Sequence, residues 1–395
     1  MKIAFVLIAE AYQCYHGAAI AFELAAMPDV SVTFYYNDPE TPVHLERIRE
    51  ALNAPSVPCI RMKRTVVTRA VQKMRIFGLA KPQVLRANES DLMGYDAIFA
   101  LEDSVAPLFT SGDVASRPVK IHMSHGSGDR AVGFSPRIGN FDLVLLTGRK
   151  TADRLLSLGL VRPGHYALTG YPKIETAERL RAARPPLFAN NRQTVLYNPH
   201  KARGLQSWEK FILPMLKEFG RQDNFNLIVA PHVKMFRRRS ARTREQWRAL
   251  STPNIIVDPG SFSSLDNSYT AAADIYVGDV SSQVYEFLAH PRPCVFLNAH
   301  GLNWRDDPNF LSWHLGDVVD NPADLMQAIH MASERHILYR DLQERIASDS
   351  LGDRTPGAAR RAAQAIRAYM ATGHLSVCDQ GEEILDTADL SRSAR

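Results

Sequence analysis

The stretch Asp279-Val280-Ser281-Ser282, with Glu286 just beyond it, sets two hydroxyls and two carboxylates at the end of an apolar run. Ala273 to Gly278 is β-prone and reads as a buried strand. Val284, Phe287 and Leu288 then follow at helical spacing, with Glu286 about one turn inside. Serine hydroxyls cap free backbone N–H groups, and a helix start favours an anion. The stretch is therefore either a phosphate seat or an ordinary capped helix. A second stretch, His125-Gly126-Ser127, follows the strand expected at Val119 to Met123. A histidine can give or take a proton near neutral pH, and glycine lets a ligand approach the backbone. The alternative is a turn with a surface histidine. Pro231-His232 closes a third apolar run, Asn226 to Ala230. Glu10 and His16 follow a fourth, Lys2 to Ala9, where a surface-loop role is equally open.

The elements needed to position these groups are those of parallel α/β sheets. Continuous apolar strands are the kind covered on both faces. The chain opens strand, loop, alanine-rich helix (18–27), strand (30–36), which is a Rossmann-like start without the GxGxxG fingerprint. Further strands are expected at 95–101, 119–123, 143–146 and 165–168, with a helix at 150–158. The region 169–192 is rich in proline and arginine and reads as a connection. The alternation then restarts, with strands at 194–198, 226–230, 255–257, 273–278 and 293–297. Helices are expected at 207–219, 265–273, 322–348 and 356–372. The expected domains are 1–175 and 176–348, then a terminal helix 349–372 and a polar, disordered tail 373–395. Two such domains predict a cleft between facing sheets, with His125, His232 and the Asp279 loop pointing into it.

A chain of 395 residues exceeds one ordinary core, and 45% hydrophobic with 23% charged residues is the balance of a soluble globular protein. The net charge of +5 suits anionic substrates, nucleic acid or an anionic membrane, without choosing among them. Cys14, Cys59, Cys294 and Cys378 form no CxxC pair, so neither a disulfide framework nor a cysteine metal site is expected. A reducing cytoplasm fits. The N-terminal apolar run meets Glu10 directly and reads as a buried strand rather than a signal peptide. Residues 61–81 place Met62, Val66, Ala70, Met74 and Phe77 on one helical face among basic residues. That predicts either a helix on an anionic membrane surface or a core-packed helix with a solvated basic face. The arginines from Arg237 to Arg244 form either a solvated face or a phosphate-attracting rim.

The ordered set resembles the CDP-glycerol glycerophosphotransferases of teichoic-acid and capsule synthesis, which have the GT-B fold. His125-Gly126-Ser127 is similar to that family's His-Gly-Thr, and Thr169-Gly170-Tyr171-Pro172-Lys173 to its Thr-Gly-Tyr-Pro-Arg. Pro231-His232 matches its Arg-Pro-His. Asp279-Val280-Ser281-Ser282, with Glu286, Phe287-Leu288 and Arg292-Pro293, matches its Asp-Tyr-Ser-Ser region. The loop Tyr197 to Arg203 stands where the family has Pro-Thr-Trp-Arg, but Lys201-Ala202 replaces the tryptophan. The family's lysine-bearing segment is replaced by Gly128-Asp129-Arg130. The likeness spans roughly residues 119–300.

The resemblance implies transfer of glycerol phosphate, or a related polyol phosphate, from a CDP-activated donor to an acceptor hydroxyl, with CMP leaving. It makes His125 the base and His232 the group at the diphosphate. Gly126, Ser127, Arg203, Ser281, Ser282 and Glu286 would bind substrate or nucleotide, with Glu286 on the ribose. Asp279 is either an active-site carboxylate or a loop brace. No tightly bound cofactor or protein-held metal is expected, and a Mg²⁺ carried by the donor diphosphate is compatible. The expected partners are the activated donor and a polymer or lipid-linked acceptor, with no nucleic acid. The implied place is the cytoplasm, including the inner membrane face if residues 61–81 bind there. A GT-B glycosyltransferase using a nucleotide sugar and an enzyme similar to UDP-N-acetylglucosamine 2-epimerase are the alternatives.

Overall fold

The computed structural model describes residues 1–65, 68, 77–109, 116–124, 134–237, 239–281 and 283–376. The chain forms two compact units. The first holds Met1–His125, Phe134–Glu175 and the chain from Ser350 onward; the second holds Thr176–Asp349.

The first unit is built on seven parallel strands: β1 (Lys2–Leu7), β2 (Ser31–Tyr36), β3 (Cys59–Arg61), β4 (Ala97–Ala100), β5 (Val119–Met123), β6 (Leu143–Leu146) and β7 (Tyr166–Leu168). Their order is β3-β2-β1-β4-β5-β6-β7. The second unit has β8 (Gln193–Asn198), β9 (Phe225–Val229), β10 (Ile255–Val257), β11 (Ile275–Gly278), β12 (Cys294–Leu297) and β13 (Asp317–Val319), in the order β10-β9-β8-β11-β12-β13. Counting strands from the start of each unit, both sheets begin 3-2-1-4-5-6, the doubly wound order. The inner strands β4 and β11 carry no charged residue and are buried on both faces. This bears out the parallel-sheet α/β class read from the sequence.

Several local expectations are corrected. Helix α1 (Cys14–Ala25) begins four residues before the expected 18–27 helix, so His16 lies within it and is buried, not in a surface loop. Its Nδ1 meets the Tyr171 hydroxyl at 2.6 Å. Helix α2 (Thr41–Leu52) and the edge strands β3 and β13 were not anticipated. No single helix covers 61–81. Arg61 ends β3, and residues 62–65 are not helical. Lys63 pairs with Asp91 at 2.7 Å, and Arg64 Nε donates to Asn37 Oδ1 at 3.1 Å. Residues 66, 67 and 69–76 lie outside the described residues. Helix α3 (Phe77–Leu92) continues beyond the expected end.

Helix α4 (Arg149–Ser157) precedes β7, and helix α5 (Pro172–Ala182) carries the chain from the first unit into the second. There α6 (Trp208–Phe219) covers β8 and β9, and α7 (Ala241–Arg248) follows β9. The helix expected at 265–273 is two single turns, α8 (Phe262–Leu265) and α9 (Ser268–Ala272), separated by Asn267 at φ 62°. One turn, α10 (Gln283–Phe287), follows β11. The helix expected at 322–348 is broken into α11 (Leu325–Arg335) and α12 (Arg340–Leu351). Helix α13 (Ala358–Thr372) returns to the first unit and packs on α1. Ala359, Ala362, Ala363 and Ile366 are buried there, and small side chains let the two helices approach closely.

That return explains the Thr169-Gly170-Tyr171-Pro172-Lys173 segment. Gly170 has φ 77°, a conformation glycine adopts without cost. Arg361 on α13 donates from Nε to the Thr169 carbonyl at 3.1 Å and from Nη2 to the Asp353 carbonyl at 3.0 Å. A Cβ on Gly170 would lie 2.5 Å from the Asp353 carbonyl oxygen. We predict that Gly170→Ala destabilises the protein by about 1–3 kcal/mol, through backbone strain and loss of this seat. Urea unfolding checks this, and an unchanged midpoint would count against the contact.

Candidate functional site

In the second unit β9, β8 and β11 are neighbours, and their carboxyl ends carry His232, His200 and Asp279. The strand order reverses between β8 and β11, where doubly wound sheets take ligands. Both histidines follow a proline: Asn198-Pro199-His200 after β8 and Ala230-Pro231-His232 after β9. Proline lacks the N–H that would continue the ladder, so each strand stops and the chain turns. Asn198 ties the two turns together by donating from Nδ2 to the Ala230 carbonyl at 2.7 Å. The backbone N–H of His232 donates to the Pro199 carbonyl at 3.0 Å.

The two rings are held alike. Nδ1 of His200 accepts from the Ala202 amide at 3.1 Å, and Nδ1 of His232 accepts from the Lys234 amide at 3.1 Å. Each neutral ring therefore carries its proton on Nε2. The ring centroids are 5.9 Å apart, with planes at 73°. Burial, and then the charges of Lys201, His200 and Lys234, push the His232 imidazole down to about 3. At neutral pH it is an uncharged N–H donor. His200 was not singled out from the sequence. The signal that could have found it is the repeated Pro-His after two apolar strands.

Asp279 is fully buried at the end of β11. Its Oδ2 accepts from the backbone amides of His200 at 2.7 Å and Ser207 at 3.0 Å. It thus closes both ends of the 200–207 loop. Oδ1 has no hydrogen-bonding partner among the described residues. Burial outweighs the amide donors and raises the carboxyl to about 7. Tyr197 and Tyr276 are also pushed well above the ordinary phenol range, by burial and by the nearby Asp279 charge. The geometry is that of a brace: one carboxylate oxygen is occupied by two backbone amides.

Ser281 Oγ accepts from the Gln283 amide at 3.2 Å and so caps α10. A single turn has little macrodipole, which weakens the helix-start argument made from the sequence. Ser282 lies outside the described residues. Glu286 is buried and accepts a hydrogen bond from Asn267 Nδ2, while Asn267 Oδ1 accepts from Gln283 Nε2 at 3.2 Å. Arg292 fixes this corner from below. Its guanidinium sits 3.8 Å from the Phe287 ring centroid and donates to the carbonyls of Ala273 at 2.6 Å and Phe287 at 2.5 Å. Arg203 is exposed on the 200–207 loop and has no partner among the described residues.

In the first unit, His125, Gly126 and Ser127 lie outside the described residues. The strand leading to them places His122 against Phe141, with centroids 4.7 Å apart. Its Nδ1 is 3.1 Å from the Ala100 carbonyl oxygen. Glu102, at the end of β4, pairs with Lys81 at 2.6 Å and accepts from Gln13 Nε2 at 2.7 Å. Among the described residues no group of three or more His, Cys, Asp or Glu could hold a metal ion. Nor is any helix there long and apolar enough to cross a membrane.

No family model and no curated protein matches this sequence. Solved structures do match. The wall teichoic acid polymerase TagF, in a structure soaked with CDPG, aligns with a TM-score of 0.62 at 11% identity, over 94% of this chain and 88% of that one. MnaA from S. aureus, in a structure with UDP, aligns at 0.58 and 14% identity over 94% and 97%. A putative UDP-N-acetylglucosamine 2-epimerase from Listeria monocytogenes aligns at 0.58 and 12% identity over 94% and 96%. At these identities the likeness shows the fold: two parallel-sheet α/β domains of the GT-B type.

The brace has a pH signature. The Asp279 carboxyl titrates near 7 when folded and near 4 when unfolded, so between those values the folded state holds the extra proton. Its contribution to stability is therefore full below about 4 and is lost as pH rises towards about 7. Asp279→Asn keeps an acceptor for both amides and removes the titration. The variant should gain stability relative to the parent between pH 5 and pH 8, by an amount on the order of a few kcal/mol. Urea unfolding at the two pH values measures it, and a constant difference would sink the assignment.

Proposed function

We propose that the protein is a transferase that moves a glycerol-phosphate or related polyol-phosphate group from a CDP-activated donor to an acceptor hydroxyl. The acceptor oxygen bonds to the distal phosphorus, the bond from that phosphorus to the bridging oxygen breaks, and CMP leaves. The observation that carries the reading is the convergence of Pro231-His232, the His200 loop and Asp279 on three adjacent strand ends at the switch point. Motifs widely spaced along the chain thus meet at the usual ligand end of a doubly wound sheet, in the order that the glycerophosphotransferase resemblance implies.

On this reading His125 takes the acceptor's proton. His232 and His200 present Nε2–H groups to the diphosphate, and Arg203 adds a charge-assisted contact. Ser281 and Ser282 hold phosphate oxygens, and Glu286, steadied by Asn267, receives the ribose hydroxyls. Asp279 contributes indirectly, by holding the loop that carries His200 and Arg203. A bound dianion favours the charged imidazole, so His232 gains a proton as the donor binds and can pass it to the leaving phosphate. The described carboxylates form no cluster suited to a resident Mg²⁺. A Mg²⁺ arriving with the donor would offset diphosphate charge.

The UDP in the MnaA structure supports a second reading, an enzyme of the same fold that uses a UDP-sugar. Thermal shift with CMP, CDP, CDP-glycerol, UMP, UDP and GDP separates the two. A ligand that binds only the folded protein raises its midpoint as its concentration exceeds Kd. The expected ranking puts the cytidine ligands first, and a shift confined to UMP and UDP would overturn the transferase reading. For turnover, His232→Gln is expected to lower CMP release from CDP-glycerol by about 10²–10⁴-fold, the usual contribution of a proton-transfer group. Donor binding to the parent should strengthen as pH falls, and that dependence should vanish in the variant. Full activity in His232→Gln would remove the histidine from the mechanism.

A further inference from the structure

Strand β11 carries a tyrosine and a glycine at alternate positions, Tyr276 and Gly278. Alternate residues of a strand share a face, so the ring of Tyr276 can lean along β11 over Gly278. A Cβ on Gly278 would lie 2.8 Å from the Tyr276 hydroxyl oxygen and 2.9 Å from the Asn198 carbonyl oxygen. Glycine therefore leaves the space that the phenol fills. The ring is fully buried, with the centroid of Phe287 at 5.5 Å and that of Phe296 at 6.3 Å. Phenylalanine would serve that packing equally well, so the hydroxyl is what this position adds. It meets Asn198, the residue paired with Gly278 across the sheet, and donates to Asn198 Oδ1 at 3.3 Å. The direction of this bond is forced. Asn198 Nδ2 is committed to the Ala230 carbonyl, which can only accept, so Oδ1 faces the phenol and the phenol is the donor. Burial, and then the Asp279 charge, hold the phenol in the protonated form that donation requires.

We propose that the Tyr276 hydroxyl is a positioning group for the histidine pair and acts through Asn198. Asn198 ties the turn that carries His200 to the turn that carries His232, through its bond to Ala230 at 2.7 Å. The second tie is the His232 amide on the Pro199 carbonyl at 3.0 Å. Among the described residues Asn198 Oδ1 has no donor other than Tyr276. Without the hydroxyl it would be a buried acceptor left unsatisfied, which is costlier than the loss of an ordinary hydrogen bond. The amide would turn or shift towards water, and the bond to Ala230 would go with it. The turn after β9 would then keep one tie of the two. His232 is uncharged because it is buried at this junction, so a loosened turn would admit water to its ring. The effect on turnover rests on the transferase reading, in which both rings face the diphosphate; the bond network itself does not.

Tyr276→Phe removes the hydroxyl and keeps the ring. Histidine titration is followed by NMR on the full chain with labelled imidazoles, which needs no substrate. In the parent, His232 should stay uncharged between about pH 5 and pH 8; in the variant it should begin to titrate within that window. The kcat for CMP release from CDP-glycerol should fall roughly 10-fold to 100-fold with little change in KM, since the reacting geometry suffers first. In an Asn198→Ala background, Tyr276→Phe should have no further effect on either readout. An unaltered His232 titration, an unaltered kcat in a parent that turns over, or losses that add in the double variant would overturn the proposal. If Tyr276→Phe fails to fold, Asn198→Ala alone carries the test, and an unaltered His232 titration there is equally decisive. Failure of both to fold would make the hydroxyl part of the scaffold and also overturn it. A shifted titration with no turnover of any CDP-alcohol by the parent would remove the transferase reading and leave the positioning role standing.

Discussion

The second unit depends on one buried carboxylate that is committed to backbone. Asp279 sits at the end of β11 and reaches across to the loop that leaves β8. By accepting the amides of His200 and Ser207 it fixes where that loop begins and where α6 starts. A neutral side chain could satisfy the same two amides without the desolvation penalty that burial imposes on an ionised group. The carboxylate therefore makes the loop sensitive to protonation close to neutrality. Everything placed by the loop, the His200 ring and Arg203 included, inherits its position from this contact.

The repeated strand order explains why the chemistry gathers where it does. In each unit the first strand is central, with the second and third on one side and the fourth to sixth on the other. The loops after the first and fourth strands diverge, leaving a crevice at the carboxyl end. In the second unit those loops carry His200 and Asp279, and the loop after the second strand adds His232. In the first unit the corresponding place holds Glu102, already engaged by Lys81 and Gln13.

Several strands were legible because they are short, largely apolar and buried: Val119–Met123, Leu143–Leu146 and the edge strand Ile255–Val257 match their expected spans. The edge strands β3 and β13 were not: β3 is exposed throughout and β13 opens on Asp317, so neither leaves the buried apolar signal that β7 and β10, edge strands of the same length, retain. Helix breaks were hidden for another reason. The periodicity continues through 322–348 and 265–273, and the interruptions come from tertiary bonds. Tyr339, at the break between α11 and α12, donates to Asp317 Oδ1 at 2.6 Å, and Asn267 takes a left-handed conformation while holding Glu286. At the site, Pro231-His232 and the Asp279 stretch could be read from residue types. Which oxygen of Asp279 meets which amide could not, because that depends on β8 lying between β9 and β11.

The cations divide sharply by what they touch, and the division separates scaffold from candidate contact. Arg292 is buried and pushed down to about 10 by desolvation, which it tolerates because backbone carbonyls receive its donors. Arg184 pairs with the buried Asp266 and donates to Ser263 and Ser268. Arg361 performs the same service for the return of α13. Replacing any of these would leave buried acceptors without donors, so their loss would register first as instability. Arg203, Arg239 and Arg242 have no such acceptors among the described residues; Arg203 and Arg239 lie on the loops that leave β8 and β9, and Arg242 on α7 just beyond. Exposed guanidinium groups of this kind contribute little to folding. Their concentration at the end of the sheet that carries the histidine pair is a matter of charge presented to an anion rather than charge used to hold the fold.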